Sequence, residues 1–309
     1  MGLITSHVIL FIICVLSVRY RASSTAVSRD DLLDAVHMAD VARVQYLVVD
    51  RDPEVLSSYS PVMVNRVDPT YDRISLMVCG LDPQKRTRTE TDLDCVAIAK
   101  MLYNAGVNIS HVDKHGWDSV AMGAVRGFDQ FCEYLIAQGA HHDRADVDGR
   151  TPLMKAAAHG HYDTFRLLVE KGANVSGSDN LGLTALHHAT VFALQNDPQK
   201  LFLKNVTDVL KHRSTTRTDF MDRYLDKEGR TCLMYAAISN NLAVVTMLME
   251  AGADPRRVDN YGVRASSMSG DPRVRQAMAD QSVLLIESEH NQWLKKSKKK
   301  NSASKRSKG

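Results

Sequence analysis

Apolar residues recur along this chain in short clusters with helical spacing, and polar turns separate the clusters. The clearest case is the stretch 146–182, in which one cluster begins at Leu153 and a second at Phe165. Apolar positions three and four residues apart are typical of helices that bury one face. The pattern therefore predicts a short helix from Pro152 and a second helix over 162–170. A unit of this size cannot bury both apolar faces by itself.

The stretch carries its own start and stop residues. Asp146 and Gly149 favour a tight turn, because an aspartate side chain bonds nearby backbone and glycine accepts a left-handed conformation. Thr151 is a favourable helix cap, and Pro152 suits the first helical position, where no N–H is needed. Gly172 follows the second cluster and is expected to end that helix. The predicted order is turn, helix, turn, helix.

The unit recurs along most of the chain. Its Asp-x-x-Gly turn occurs five times, with glycine spacings of 33, 33, 47 and 33 residues at Gly116, Gly149, Gly182, Gly229 and Gly262. The helix-ending glycines keep the same period, since Gly106, Gly139 and Gly172 are each 33 residues apart. Two sets of turn residues on one period predict a repeat array of about six or seven units.

The repeated segments DVDGRTPLMKAAAHGH, DNLGLTALHHAT and DKEGRTCLMYAA resemble ankyrin repeats. The family's Leu-His pair remains only at Leu186 and His187, where the histidine ties neighbouring turns together. The resemblance implies an all-α ankyrin-repeat solenoid of stacked helix-turn-helix units with short β-turn fingers, over residues 29–280. It also implies a non-enzymatic scaffold or adaptor that binds a protein on its concave surface.

In similar proteins the partner contacts the residues beside the turn glycine and the open face of the first helix. Each matching residue is therefore a candidate contact, although each could equally be an ordinary solvated residue. Carried onto this chain, the candidates are Lys114, His115, Trp117, Met122, Asp148, Arg150, Lys155, His159, Leu183, His188, Glu228, Arg230, Tyr235 and Tyr261, with Val147, Asn180, Leu181, Lys227 and Asn260 beside them.

Two charged insertions interrupt the period, at residues 81–94 and 196–224. Each begins with an Asp-Pro pair, Asp82-Pro83 or Asp197-Pro198, which is a sound helix start. They are interpreted as loops that enter the second helix of their repeats. The alternative is that they form binding loops on one side of the array.

The amino-terminal residues 1–24 contain an apolar run, Val8–Val18, that is too short for a typical bilayer span. A run of this length, followed by small residues, predicts a cleaved signal peptide and a secreted or luminal array. Arg19 and Arg21 favour the alternative, an uncleaved anchor with cytosolic repeats. Membrane association would then run through residues 3–18. A capping helix is a weaker interpretation because the run has no polar face.

The carboxyl end is basic. Residues 295–309 carry eight lysines and arginines and no acid, so without them the formal net charge of +3 becomes −5. A helix is predicted over 281–294, with Val283, Leu284, Leu285 and Trp293 packed back on the array, followed by a disordered basic tail. Nuclear import, nucleic-acid association, contact with an anionic surface and simple solubility are the open interpretations of that tail.

Cysteine spacing predicts neither a disulfide framework nor a zinc site. Cys79, Cys95, Cys132 and Cys232 fall on predicted helices and are expected to be small buried residues. His111 and His115 have the spacing of a ligand pair but lie in a turn, so no metal or cofactor is predicted. No catalytic motif is found, and the chain is not expected to be an enzyme.

Three sequons are present, at Asn108, Asn174 and Asn205. They are permitted glycosylation sites if the chain enters the secretory pathway. Asn108 and Asn174 also occupy the turn after a helix-ending glycine, where asparagine is structurally favoured, and this second interpretation is preferred.

Overall fold

The computed structural model describes residues 31–49, 64–65, 67, 73–79, 87–196, 201–213 and 221–306. The predictions for residues 1–24, for Asp82-Pro83, for Asp197-Pro198 and for 307–309 lie outside these ranges and stay predictions. None of the helices within the described residues is long and apolar enough to cross a bilayer.

The described residues fold into helical pairs joined by short turns. The second pair begins with a 3-10 helix, Ser75–Val78, and isolated β-bridges such as Ser178–Thr184 close some turns without forming strands in this part of the chain. The α-helices are α1 Asp31–His37, α2 Val41–Val48, α3 Arg88–Asn104, α4 Ser119–Arg126, α5 Asp129–Ala137, α6 Pro152–Ala158, α7 Tyr162–Glu170, α8 Ala185–Asn196, α9 Leu201–Arg213, α10 Cys232–Ile238, α11 Leu242–Glu250, α12 Ala265–Met268 and α13 Pro272–Arg306.

The pairs stack in chain order into one array with two helical layers. The first helices α4, α6, α8, α10 and α12 contact one another in sequence, and so do the second helices α3, α5, α7 and α9. A single apolar core runs between the layers from Leu32 to Met278. Small residues such as Ala156 and Ala189, both fully buried, allow the first helices to approach closely.

The local predictions for the fourth unit are confirmed. Thr151 caps α6 by accepting a hydrogen bond from the Met154 N–H at 3.4 Å, and Pro152 is the first helical residue. The second helix spans the predicted residues Tyr162–Glu170. Gly172 has φ +97 and ends it. The array of helix-turn-helix units is therefore confirmed in its organisation and, for this unit, in its start and stop residues.

The first insertion is more ordered at its end than the sequence suggested. α3 begins at Arg88, and Thr87 and Glu90 form a reciprocal capping box at its start. Residues 88–94 are thus part of a helix and not of a loop, because Thr87 to Glu90 is itself a strong capping signal. Asp92 is buried and accepts the N–H groups of Gln130 and Phe131 at 3.0 and 2.8 Å, which caps α5 of the next unit.

The prediction that no cysteines pair is wrong for two of them. Cys79 and Cys95 form a disulfide with a Cα–Cα distance of 5.8 Å. The bond joins the end of the 3-10 helix to the middle of α3, two elements whose approach depends on stacking and not on sequence spacing. Cys132 and Cys232 are free and buried, as expected.

The carboxyl end also differs from its prediction. α13 is one continuous helix from Pro272 to Arg306, so the segment predicted to be disordered continues the helix. After Pro272 the helix contains no glycine or proline to stop it. Val283, Leu284 and Trp293 do not pack back on the array, because their exposed fractions are 54, 58 and 63 %. The last repeat offers them no further unit to pack against.

Candidate protein-binding surface

Each Asp-x-x-Gly turn is organised by its aspartate. In the fourth unit, the Asp146 Oδ1 accepts hydrogen bonds from the N–H groups of Asp148 and Arg150 at 2.9 and 2.8 Å. Gly149, with φ +79, completes the turn by donating its N–H to the Asp146 carbonyl at 2.9 Å. The same pair of Oδ1 bonds is made by Asp113, Asp179, Asp226 and Asp259.

The second carboxylate oxygen of three turn aspartates accepts a hydrogen bond from the side chain nine residues later. We call the first helix of each unit its inner helix and the second its outer helix. The donor lies on the first turns of the inner helix that follows the aspartate, where the helical rise brings it back over the carboxylate. The donors are Lys155 to Asp146, His188 Nε2 to Asp179 at 3.0 Å, and the Tyr235 hydroxyl to Asp226 at 2.8 Å.

The turn at Asp113 meets the same requirement differently. Its ninth following residue is Met122, which has no group able to donate a hydrogen bond to the carboxylate. Arg73 of the preceding unit donates from Nε to the Asp113 Oδ2 at 3.0 Å instead. An ionised carboxylate is costly to bury without a partner, and the preceding unit supplies one for Asp113.

Consecutive turn tips are joined by backbone hydrogen bonds. The tips are the two residues between Asp and Gly of each turn. The carbonyl of the second tip residue accepts the N–H of the first tip residue of the next turn, in the pairs His115–Val147, Asp148–Asn180, Leu181–Lys227 and Glu228–Asn260 at 3.1, 2.8, 3.3 and 2.9 Å. These bonds fix five tips in one row.

A family model described as ankyrin repeats matches three overlapping segments, residues 91–179, 119–209 and 179–259. Together the segments cover more than half of the chain. The chain belongs to the ankyrin repeat family. Ankyrin repeats generally mediate protein–protein interaction and are generally not catalytic. The helical pairs and stacked turns are therefore the architecture of an interaction module.

Similar proteins match this chain over a small share of their own length. The chain is 35 % identical over 107 residues to human transient receptor potential cation channel subfamily A member 1, which is 35 % of this chain and 9 % of that protein. It is 33 % identical over 132 residues to Xenopus laevis neurogenic locus notch homolog protein 1, or 42 % of this chain and 5 % of that one. The chain thus spans less than a tenth of these relatives.

Solved ankyrin repeat domains have the same fold. The domain of human ASB11 superposes with a TM-score of 0.59 at 20 % identity, covering 81 % of this chain and 96 % of that one. An ankyrin repeat domain from Acinetobacter baumannii gives a TM-score of 0.53 at 22 % identity, covering 73 % of this chain and 100 % of that one. At these identities the similarities show the fold alone.

Three of the predicted contact residues are buried in the ankyrin array. Met122, Lys155 and His188 are 3, 4 and 9 % exposed, so the expectation that they lie open to a partner is corrected. Their position nine residues after the turn aspartate points them down onto that aspartate or into the gap between adjacent inner helices. Lys155 in particular lies against Trp117 of the previous unit, with its Nζ 3.7 Å from the ring centre.

The other predicted residues lie on the open side to different degrees. Six are half-buried around the turns, and five are exposed at the tips or at the end of an inner helix. The half-buried residues are Trp117, Arg150, Leu183, Glu228, Arg230 and Tyr235, and the exposed residues are Lys114, His115, Asp148, His159 and Tyr261. The tips and helix ends therefore form the accessible part of the predicted surface.

Electrostatics separate the buried aspartates from the exposed tips. Burial raises the Asp146 pKa, but hydrogen bonds from Lys155 and the turn N–H groups outweigh burial and hold the pKa below its ordinary value. Burial lowers the Lys155 pKa, and Asp146 opposes that shift. Burial, together with Asp226, raises the pKa of Tyr235 to about 12. Asp146, Lys155 and Tyr235 therefore interact within the turns.

Three exposed apolar side chains stand on the tips, at Val147, Leu181 and Tyr261, with exposed fractions of 62, 61 and 74 %. A fourth exposed apolar residue, Ile238 at 48 %, ends the inner helix α10 and was not among the residues predicted from the sequence. Its position at the last turn of a first helix was the available signal.

His187 has the structural role expected from the family motif. Its Nδ1 lies 3.1 Å from the Thr184 hydroxyl, and its Nε2 lies 3.3 Å from the Arg230 carbonyl of the next turn. In the described part of the chain, no group of three or more His, Cys, Asp or Glu residues is arranged to hold a metal ion.

Proposed function

We propose that the array is a scaffold or adaptor that binds a partner protein along its turn tips and the open ends of its inner helices. One observation carries this proposal, namely the apolar side chains of Val147, Leu181 and Tyr261 on tips whose backbones are tied together. Apolar and aromatic groups presented on rigid backbone lose little conformational entropy on binding. Ile238 extends this apolar set onto the inner helices.

The arrangement of charge supports a mixed apolar and polar interface. Lys114 and Lys227 lie on the tips as cations, and Asp148 and Glu228 as anions. Charged groups around an apolar centre are typical of the rim of an interface, where they set orientation and specificity. The partner is therefore expected to present an apolar ridge flanked by charges of both signs.

The test is site-specific photo-cross-linking of the full chain in cells that express it. A photoreactive phenylalanine analogue is placed at Leu181 on the tips, and at Leu201 on the outer helix α9 as a matched exposed control. Leu201 is 56 % exposed, close to the 61 % of Leu181. We expect a discrete protein adduct from Leu181 that disappears in the Tyr261→Ala background while the melting temperature is unchanged.

Adducts of equal yield and mass from Leu181 and Leu201 would show that the tips are not a preferred interface. Trp117 and Tyr235 are poor choices for this test. Trp117 packs on the Lys155 ammonium group and the Tyr235 hydroxyl donates to Asp226, so a change at either would perturb folding and binding together.

A further inference from the structure

The helix α13 leaves the array with a defined orientation. Its first turns are packed, since Val274 and Met278 are 0 and 1 % exposed. Further along, Arg256 of the last full repeat forms two hydrogen bonds to the Glu289 carboxylate at 2.8 and 3.1 Å. The face that carries Glu289 is thereby held towards the array, and the helix continues past it to Arg306.

An apolar stripe lies beside the packed face of this helix. We define the stripe as Val283, Ile286 and Trp293, which are 54, 55 and 63 % exposed. Their spacings of three and seven residues place them on one side of a helix. His290 continues the same line, and its ring stacks on Trp293 with the ring centres 6.1 Å apart. The stripe is open to solvent along its length.

The segment that follows the stripe is strongly cationic. From Asn291 to Arg306 the helix contains seven lysines and arginines and no acid. Lys295 and Lys296 are exposed. Two carboxylates flank the stripe, Glu287 and Glu289, and the second of them is engaged by Arg256. Apolar area and concentrated positive charge therefore occur together on one projecting helix.

We propose that α13, from Val283 to its end, docks on a lipid bilayer that carries anionic head groups. A helix with an apolar stripe and a basic segment lies in the plane of the interface, with the stripe at the boundary between head groups and acyl chains. Trp293 stands where the stripe meets the basic segment, and tryptophan is favoured at this boundary. The lysines then meet the lipid phosphates and carboxylates.

Other occupants fit the observations less well. Parallel pairing with a second copy would bring two strongly cationic segments together, which is unfavourable. A nucleic acid would satisfy the lysines but would give no reason for an exposed stripe of Val283, Ile286 and Trp293. The coexistence of the two features favours the bilayer.

The test is co-sedimentation of the full chain with vesicles of phosphatidylcholine alone and of equal parts phosphatidylcholine and phosphatidylserine. We expect binding to the anionic vesicles that is more than about 25-fold tighter and that weakens with added salt. Each lysine near an anionic surface contributes about fivefold, so Lys295→Gln with Lys296→Gln is expected to lose about 25-fold. Val283→Ser with Ile286→Ser is expected to lose about tenfold or more.

Matched controls come from elsewhere on the array. Lys204→Gln with Lys211→Gln removes two exposed cations from α9, and Leu181→Ser removes an exposed apolar side chain from a tip. Both variants are expected to bind anionic vesicles as the unaltered chain does. Tyr261→Ala should abolish the protein adduct from Leu181 and leave vesicle binding unchanged, so the vesicle result and the proposed function are tested independently.

Three results would overturn the proposal. The first is equal binding to both kinds of vesicle, and the second is unchanged binding of the Val283→Ser and Ile286→Ser variant. The third is a different occupant. Tight binding of a duplex oligonucleotide that ignores the stripe would assign the helix to nucleic acid, and a dimer in sedimentation velocity that the stripe variant dissociates would assign it to a second copy.

Discussion

The Lys155 ammonium group lies 3.7 Å from the centre of the Trp117 ring, which belongs to the preceding ankyrin unit. The same ammonium group forms an ion pair with Asp146, the organising aspartate of its own turn. Lys155 thus links the interior of one turn to the neighbouring unit by a cation–π contact and a buried ion pair. The link explains why a lysine occupies a position that is 4 % exposed.

Replacing Lys155 by methionine should therefore destabilise the array. Methionine keeps most of the apolar stem, but Asp146 keeps only its turn N–H donors and loses its charged partner. We expect a loss of about 3 kcal/mol in the free energy of unfolding, measured by urea denaturation. Lys227→Met, at an exposed tip, is the matched control and should change stability by less than about 0.5 kcal/mol. Similar losses for the two variants would contradict a buried role for Lys155.

The row of tips makes a second prediction, about Gly182. This residue has φ +84, and a Cβ atom there would overlap the Lys227 backbone nitrogen of the next turn. Gly182→Ala should therefore lower the free energy of unfolding, measured by urea denaturation, for two reasons. The left-handed backbone contributes about 1 kcal/mol, and displacement of the next tip contributes about 2 kcal/mol more.

Gly139→Ala separates the two contributions. Gly139 has φ +96, and no heavy atom lies within 4 Å of its Cβ position. Its variant should lose only the backbone part, about 1 kcal/mol, in the same urea experiment. If both alanine variants unfold at one urea concentration, the close contact between consecutive turns is not made in solution.

The turns and helix ends could be predicted because their chemistry is local. Asp146 bonds N–H groups two and four residues away, and Gly149 needs only its own left-handed backbone, so neither depends on distant residues. The same holds for the Thr151 cap and for the boundaries of α7. The family pattern adds the stacking that a single unit cannot specify.

The burial and pairing of several side chains could not be predicted in the same way, because both depend on contacts between units. Lys155 is buried because the preceding unit places Trp117 beside it. Cys79 and Cys95 approach each other only after α3 stacks on its unit. Trp293 has the spacing of a packed residue, but the array ends before it reaches that part of α13.

The disulfide between Cys79 and Cys95 makes a third prediction. It closes a loop with a sequence separation of 16 residues that contains the whole first insertion, residues 81–94. A loop of that size corresponds to about 3 kcal/mol of stabilisation through the unfolded chain. Adding dithiothreitol should lower the melting temperature of the oxidised protein, and Cys79→Ala with Cys95→Ala should lower it by a similar amount.

The double alanine variant is also the control, because dithiothreitol has no disulfide to reduce between these positions. An equal effect of dithiothreitol on both proteins would show that the bond does not contribute. Disulfides persist mainly in oxidising compartments, which makes the secretory route worth testing. That route stays a prediction, and a mass measurement of the mature amino terminus would test it.

His161 makes the stability of the array depend on pH. Its Nε2 lies 2.9 Å from the Val125 carbonyl of the preceding unit, and its Nδ1 lies 3.2 Å from the Arg88 guanidinium. Burial, opposed by the Val125 carbonyl and assisted by the Arg88 and His159 charges, lowers the His161 pKa to about 4. The folded protein therefore holds this ring neutral at pH values where an unfolded histidine is protonated.

The sign of the effect follows from proton binding. Between pH of about 6.5 and about 4 the unfolded chain binds a proton at His161 that the folded chain does not, so stability falls as pH falls through this window. Since the ring is partly exposed, we expect a loss of about 1 to 2 kcal/mol between pH of about 7.5 and about 5. His161→Gln keeps a donor for the Val125 carbonyl but cannot titrate. Over the same pH range, its free energy of unfolding in urea denaturation should therefore fall by about 1 to 2 kcal/mol less than that of the unaltered protein. Asp92, whose pKa burial raises to about 6, titrates in both proteins and cancels in the comparison. Parallel pH dependence of the two proteins would mean that His161 is not held neutral by its buried contacts.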